Sequence, residues 1–238
     1  MQEPEAGFLE HLEDLRKRLL TVLAAIGIFS VAGFFFSKPL FNFLTLPLRQ
    51  IQGNPLYFQA PYEAFLTQLS VSVLAGAVLA SPVLFTQLWL FLAPGLYHRE
   101  KQVLFPLILI SILLFLVGGA FSFRVLVPAG LKFFLSYQTE FLKPLLGVGP
   151  YFSFLAGMIL AGGLVFDLPV VVLGLVRAGV LNQERLKHSR KAVIVILLVL
   201  AAILTPTPDP VSQLILTVPL VILFEACVFL ARWVERKK

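Results

Sequence analysis

The chain has 238 residues, 58% hydrophobic and only 13% charged, with mean hydropathy +0.91 and a formal net charge of +6. No soluble fold leaves so little polar surface, so the composition excludes water-soluble classes and points to an all-α polytopic membrane protein. Cys227 is the single cysteine, which excludes a disulfide framework and a cysteine-based metal site.

In chain order, residues 7–18 read as an amphipathic cytoplasmic helix, with Leu9, Leu12, Leu15 and Leu19 at helical spacing. Acids among the first residues (Glu3, Glu5, Glu10, Glu13, Asp14) are wrong for an Arg-rich transit peptide. Six apolar spans follow, at about 19–36, 65–93, 103–127, 151–176, 192–204 and 214–231. A bilayer core of about 30 Å takes roughly 20 apolar residues as helix, so most of these can cross it. The first span lacks a convincing cleavage site and reads as a retained anchor.

Segment 37–62 carries Pro39, Pro47, Gly53, Pro55 and Pro61 among apolar residues, and is expected as a loop lying along the membrane surface. Span two would be about 43 Å long as helix, more than the hydrocarbon core, with Pro82 in its middle to kink it. Span five offers about 20 Å of helix before Thr205-Pro206-Thr207-Pro208-Asp209-Pro210 forces a tight turn. Spans five and six are both expected to be short, which would thin the bilayer locally. One membrane domain, 1–238, accounts for the whole length.

Loops assigned alternately from a cytoplasmic N-terminus place fourteen basic residues inside. They fall at positions 16–18, 99–101, 177–191 and 232–238. Five fall outside: Lys38, Arg49, Arg124, Lys132 and Lys143. The positive-inside rule then puts both termini in the cytoplasm, and the positive charge is a topology signal rather than a nucleic-acid footprint.

Four groups of residues could carry chemistry. His11-Leu12-Glu13-Asp14-Leu15-Arg16-Lys17-Arg18 reads either as a charged helix start or as a functional surface. Pro94-Gly95-Leu96-Tyr97 makes a cytoplasmic turn, with Glu100 near the start of span three. Asp167, just before Pro169 in span four, is an intramembrane carboxylate and so a functional candidate, or a member of a polar cluster. Glu225 in span six shares a helix face with Arg232, and either snorkels or pairs inward. Enzyme signatures are absent, and His11, His98 and His188 do not form a metal set, so no catalysis, metal or cofactor is expected.

From about Phe8 to Arg232 these segments, in order, resemble the TatC family, the multi-spanning receptor of the twin-arginine protein translocase. The family's His-Leu-x-Glu-Leu-Arg-x-Arg start looks like residues 11–18, and its Pro-Gly-Leu-Tyr…Glu signature like Pro94 to Tyr97 with Glu100. The acid of span four matches Asp167. The outer turn matches Thr205, Pro206, Asp209, Ser212 and Gln213, and Phe224-Glu225 matches the acid of span six. Asp14 and Asp167 stand where the family more usually has Glu.

The resemblance implies six helices in a concave, glove-like bundle. Its cytoplasmic patch would bind the paired arginines of a folded cargo's signal peptide through Asp14 and Glu100, with Glu13 as an alternative to Asp14. Arg16, Arg18, Pro94, Leu96 and Tyr97 would support that surface. It also implies docking of the single-span proteins TatA and TatB near Thr205 and Gln213, homo-oligomers in the assembled complex, and dependence on the proton gradient. The absence of a transit peptide favours a bacterial or archaeal plasma membrane. The competing reading is a proton-coupled secondary transporter using Asp167 and Glu225 as a relay.

Overall fold

The structure is a computed structural model that describes residues 3–51, 55–92, 104–177, 190–204 and 210–235. The described residues form helices joined by loops, with one isolated bridge between Tyr57 and Gly147. Helix α1 (Glu3–Phe35) runs for 33 residues without a break. The amphipathic stretch 7–18 is therefore continuous with the first apolar span.

The chain then turns at Phe36, whose N–H donates to Gly33 O at 3.1 Å. Segment 37–62 is not all loop: it forms α2 (Ser37–Leu44) and α3 (Leu46–Ile51). The prolines that suggested a loop, Pro39 and Pro47, sit in the first turns of these helices, where a missing N–H costs nothing.

Helices α4 (Glu63–Leu79) and α5 (Ser81–Leu92) meet at a 51° bend. Pro82 is the second residue of α5, beside the break at Ala80. Next, α6 (Leu104–Phe121), a π-helical turn (Ser122–Leu126) and α7 (Val127–Leu135) form one 32-residue rod. Helix α8 (Val148–Arg177) contains Pro169, and α9 (Arg190–Leu204) and α10 (Pro210–Glu235) complete the described chain.

Among the described residues, three helical segments are long and apolar enough to cross a membrane: His11–Phe35, Leu104–Leu135 and Val148–Val176. The bent α4–α5 pair is a fourth if it counts as one span. The expectation of two short final helices needs correction. Helix α9 has 15 residues, but α10 has 26, because Pro210 opens it as a first-turn residue and it continues to Glu235. What is short in α10 is the apolar stretch Gln213–Ala226.

Helix α8 is the axis of the fold, packed by α4, α6, α9 and α10. Its apolar window is 56% buried, whereas that of α1 is 6% buried, so α1 presents most of its surface outward. One core cluster joins Leu155 and Met158 of α8 to Leu126 and Val127 beside the π turn, and to Leu216 and Leu220 of α10. The α6–α8 crossing is close because it is built on glycines. A Cβ on Gly118 would lie 2.6 Å from Gly162 O, and one on Gly163 would lie 2.7 Å from the Phe115 ring.

Candidate functional site

At the start of α1 the side chains bind it to the end of α5. The His11 ring stacks on Phe91, with centroids 4.4 Å apart and planes 19° apart. Arg18 Nε donates to Asp14 Oδ2 at 2.8 Å, and its NH1 donates to Gln87 Oε1 at 3.3 Å. Positions 14 and 18 are one helical turn apart, so the pair lies on the face of α1 that meets α5.

Glu13 points elsewhere. It pairs with Lys17 at 3.0 Å, and both side chains are well exposed (64% and 71%), whereas Asp14 and Arg18 are 37% and 23% exposed. The geometry therefore separates Asp14 from its alternative, Glu13. Asp14 lies beside the helix that leads on toward Glu100, and Glu13 lies in the open. Arg16 is exposed on α1. Pro94, Leu96, Tyr97 and Glu100 lie outside the described residues, as does Thr205.

A second polar group is inside the bundle. Asp167, on α8, is 4% exposed, and the Ser111 hydroxyl of α6 is in hydrogen-bond contact with its carboxylate. Ser111, fully buried, also accepts a hydrogen bond from Trp89 Nε1 of α5 at 2.9 Å. Trp89, Ser111 and Asp167 thus form a chain across three helices. The Asp167 Oδ1 atom is buried and makes no hydrogen bond among the described residues. Burial of a carboxylate with one oxygen unsatisfied is costly, so this chain is the most demanding polar feature of the interior.

The third group joins α9 to α10. Arg190 NH2 meets Glu225 Oε2 at 3.1 Å, and Gln213 Nε2 donates to Leu198 O at 3.0 Å. Glu225 therefore pairs across to α9. Asp167 and Glu225 engage different partners on different helices, which gives no support to a relay between them.

Sequence reasoning missed Gln87, Trp89, Ser111 and Arg190. A polar residue inside an apolar run was the available signal for Ser111; nothing local marks which helix a Gln or Trp faces. It also missed Glu63, whose carboxylate accepts from the backbone N–H of Gln59 at 2.7 Å and of Gly149 at 2.9 Å. Among the described residues no three His, Cys, Asp or Glu side chains converge as a metal site.

Comparison with known proteins gives a consistent result. A family model described as Sec-independent protein translocase protein (TatC) matches residues 10–219. The chain is 40% identical over 238 residues to the Sec-independent protein translocase protein TatC of Magnetococcus marinus, spanning 99% of this chain and 88% of that one. It is 38% identical over 232 residues to the protein of the same description from Aquifex aeolicus, spanning 96% of each. A crystal structure of the twin-arginine translocase receptor TatC in DDM superposes with TM-score 0.79 at 36% identity. The match covers 93% of this chain and 99% of that one.

Proposed function

The chain belongs to the TatC family of Sec-independent protein translocase proteins, and from that premise we propose that it is the signal-peptide receptor of a twin-arginine translocase. Membership makes it a multi-pass membrane component of protein transport, with no catalytic activity indicated. Beyond that, six spans with both termini cytoplasmic, in a bacterial or archaeal plasma membrane, is the topology its basic residues support. A concave, glove-like bundle that nucleates assembly with TatA- and TatB-type partners and further copies of itself is part of the same reading. So is local bilayer thinning beside the 15-residue α9.

The observation that carries the reading is the state of Asp14. Its carboxylate is partly buried and held through a single Nε–Oδ2 contact by Arg18, which itself reaches Gln87 of α5. A guanidinium can engage a carboxylate bidentately, with two parallel hydrogen bonds, which is stronger than one. An arginine of an incoming peptide can therefore displace Arg18 from Asp14, while the second arginine is taken by Glu100. Two acids set for a pair of planar cations discriminate arginine from lysine, which brings the same charge as a point.

Gln213 is a weaker docking candidate than its position suggests. One of its amide N–H groups already binds Leu198 O, which leaves the second N–H and the amide oxygen for a partner helix.

The test is binding of a twin-arginine signal peptide and its twin-lysine version to the detergent-purified protein and to Asp14→Asn and Glu100→Gln. Arginine-selective binding that falls about tenfold in each variant is expected, the scale of a lost charged hydrogen bond. Equal binding of both peptides, untouched by either substitution, would sink the receptor reading.

A further inference from the structure

Helices α4 and α6 both rest on α8, and between them runs an apolar groove of about 860 Å3. Ala32 of α1 and Ala75 of α4 line one side, Leu116 and Ala120 of α6 the other, and Ile159 of α8 forms part of the floor. Every lining side chain is apolar except one. Arg124, on the π turn, is exposed at the groove and makes no ion pair or side-chain hydrogen bond among the described residues.

Its depth is informative. Arg124 lies twenty residues beyond Leu104, the start of the rod, which at 1.5 Å per residue is about 30 Å, the thickness of the hydrocarbon core. With Leu104 at one boundary of the core, Arg124 stands at the other, within reach of lipid phosphates. Beside it, Phe123 stacks on Phe43 of α2 with ring centroids 4.9 Å apart. Both rings line the groove.

We propose that this groove is a phospholipid site, with an acyl chain lying between α4 and α6 and the phosphate bound by Arg124. The acyl chain would fill an apolar channel that is otherwise empty. The guanidinium matches a phosphate in planar, bidentate geometry, and no carboxylate lines the groove to compete. A partner transmembrane helix is the competing occupant, and the photoprobe below distinguishes it. Nothing in the receptor reading requires this site, and the two can fail separately.

The experiment counts phospholipid retained per chain, by native mass spectrometry, after extensive washing in mild detergent. Arg124→Gln removes the cation, and Ala120→Phe fills the groove from an exposed position. Lys132→Gln, on the same rod but outside the groove, is the control. The protein as found is expected to keep one phospholipid, the Lys132 variant to match it, and the two groove variants to keep about tenfold less. Unchanged retention in both groove variants would overturn the proposal, and loss in Ala120→Phe alone would overturn the phosphate assignment. A photoprobe at position 120 is expected to label lipid; labelling of a protein would assign the groove to a helix and overturn the lipid site.

Discussion

The two ends of the bundle are held together by different kinds of bond. At the end carrying α2, α3 and the start of α8, main-chain groups do the joining. Tyr57 N donates to Leu146 O at 3.0 Å, and Val148 N donates to Tyr57 O at 2.8 Å. Glu63 accepts from two backbone N–H groups, and the Tyr151 hydroxyl donates to Leu44 O at 2.7 Å. At the α1–α5 end the bonds run between side chains: Arg18 to Asp14 and Gln87, and His11 stacked on Phe91. A backbone contact cannot change partner without moving the chain, but one guanidinium can replace another at a carboxylate. One end is thus built as a fixed platform and the other as an exchangeable surface, the kind that the proposed peptide recognition needs.

The sharpest way to break this contrast is Tyr151→Phe. Tyr151 is 4% exposed, and losing its hydroxyl leaves the Leu44 carbonyl without that donor in a buried setting. The expected cost is about 1–3 kcal/mol, read as a lower thermal midpoint in detergent, with arginine-over-lysine peptide selectivity unchanged. If stability held and selectivity moved instead, the platform would be part of the recognition surface and the comparison would collapse.

Next in size is Arg18→Gln. The resident pair is a partly exposed i, i+4 contact, worth about 0.3–0.5 kcal/mol. Freeing Asp14 of it should raise twin-arginine peptide affinity about twofold, with little change in stability. An equilibrium titration decides the matter. Weaker binding would mean that Arg18 holds Asp14 in place for the peptide rather than competing with it.

What the sequence made legible follows from which forces are local. Apolar runs mark helices because burial in lipid acts on composition, so α1, α6 and α8 could be read directly. The bend beside Pro82 was legible for the same reason, since a missing N–H acts within one turn. Pro39 and Pro47 misled because a proline signals a break or a first turn depending on what precedes it. The full length of α10 was hidden because polar residues past the apolar run still continue a helix. At the site, Asp14 was the first choice on paper and Glu13 the alternative. The packing of α1 on α5 separates them: Asp14 holds Arg18, which reaches Gln87 of α5, and Glu13 pairs with Lys17 in the open. The Trp89–Ser111–Asp167 chain needs three helices brought together from distant sequence, and no local spacing encodes that.

The smallest expected effect concerns the pair that belongs to neither end by bond type alone. Arg190 and Glu225 meet at 3.1 Å with side chains 44% and 42% exposed. If the exposed sides face water, the contact is screened, and Glu225→Gln should cost under about 1 kcal/mol and less still at high salt. If they face lipid, neither charge has water to fall back on, and removing one strands the other at a far larger, salt-independent cost. A thermal midpoint measured at low and high salt, with the swapped pair Arg190→Glu and Glu225→Arg as the rescue, distinguishes these outcomes. A small, salt-sensitive loss would place the start of α9 at the water boundary, where its basic neighbour Lys191 belongs. A large one would place a buried ion pair within the membrane, and the α9–α10 hairpin would then be a second fixed element rather than an exchangeable one.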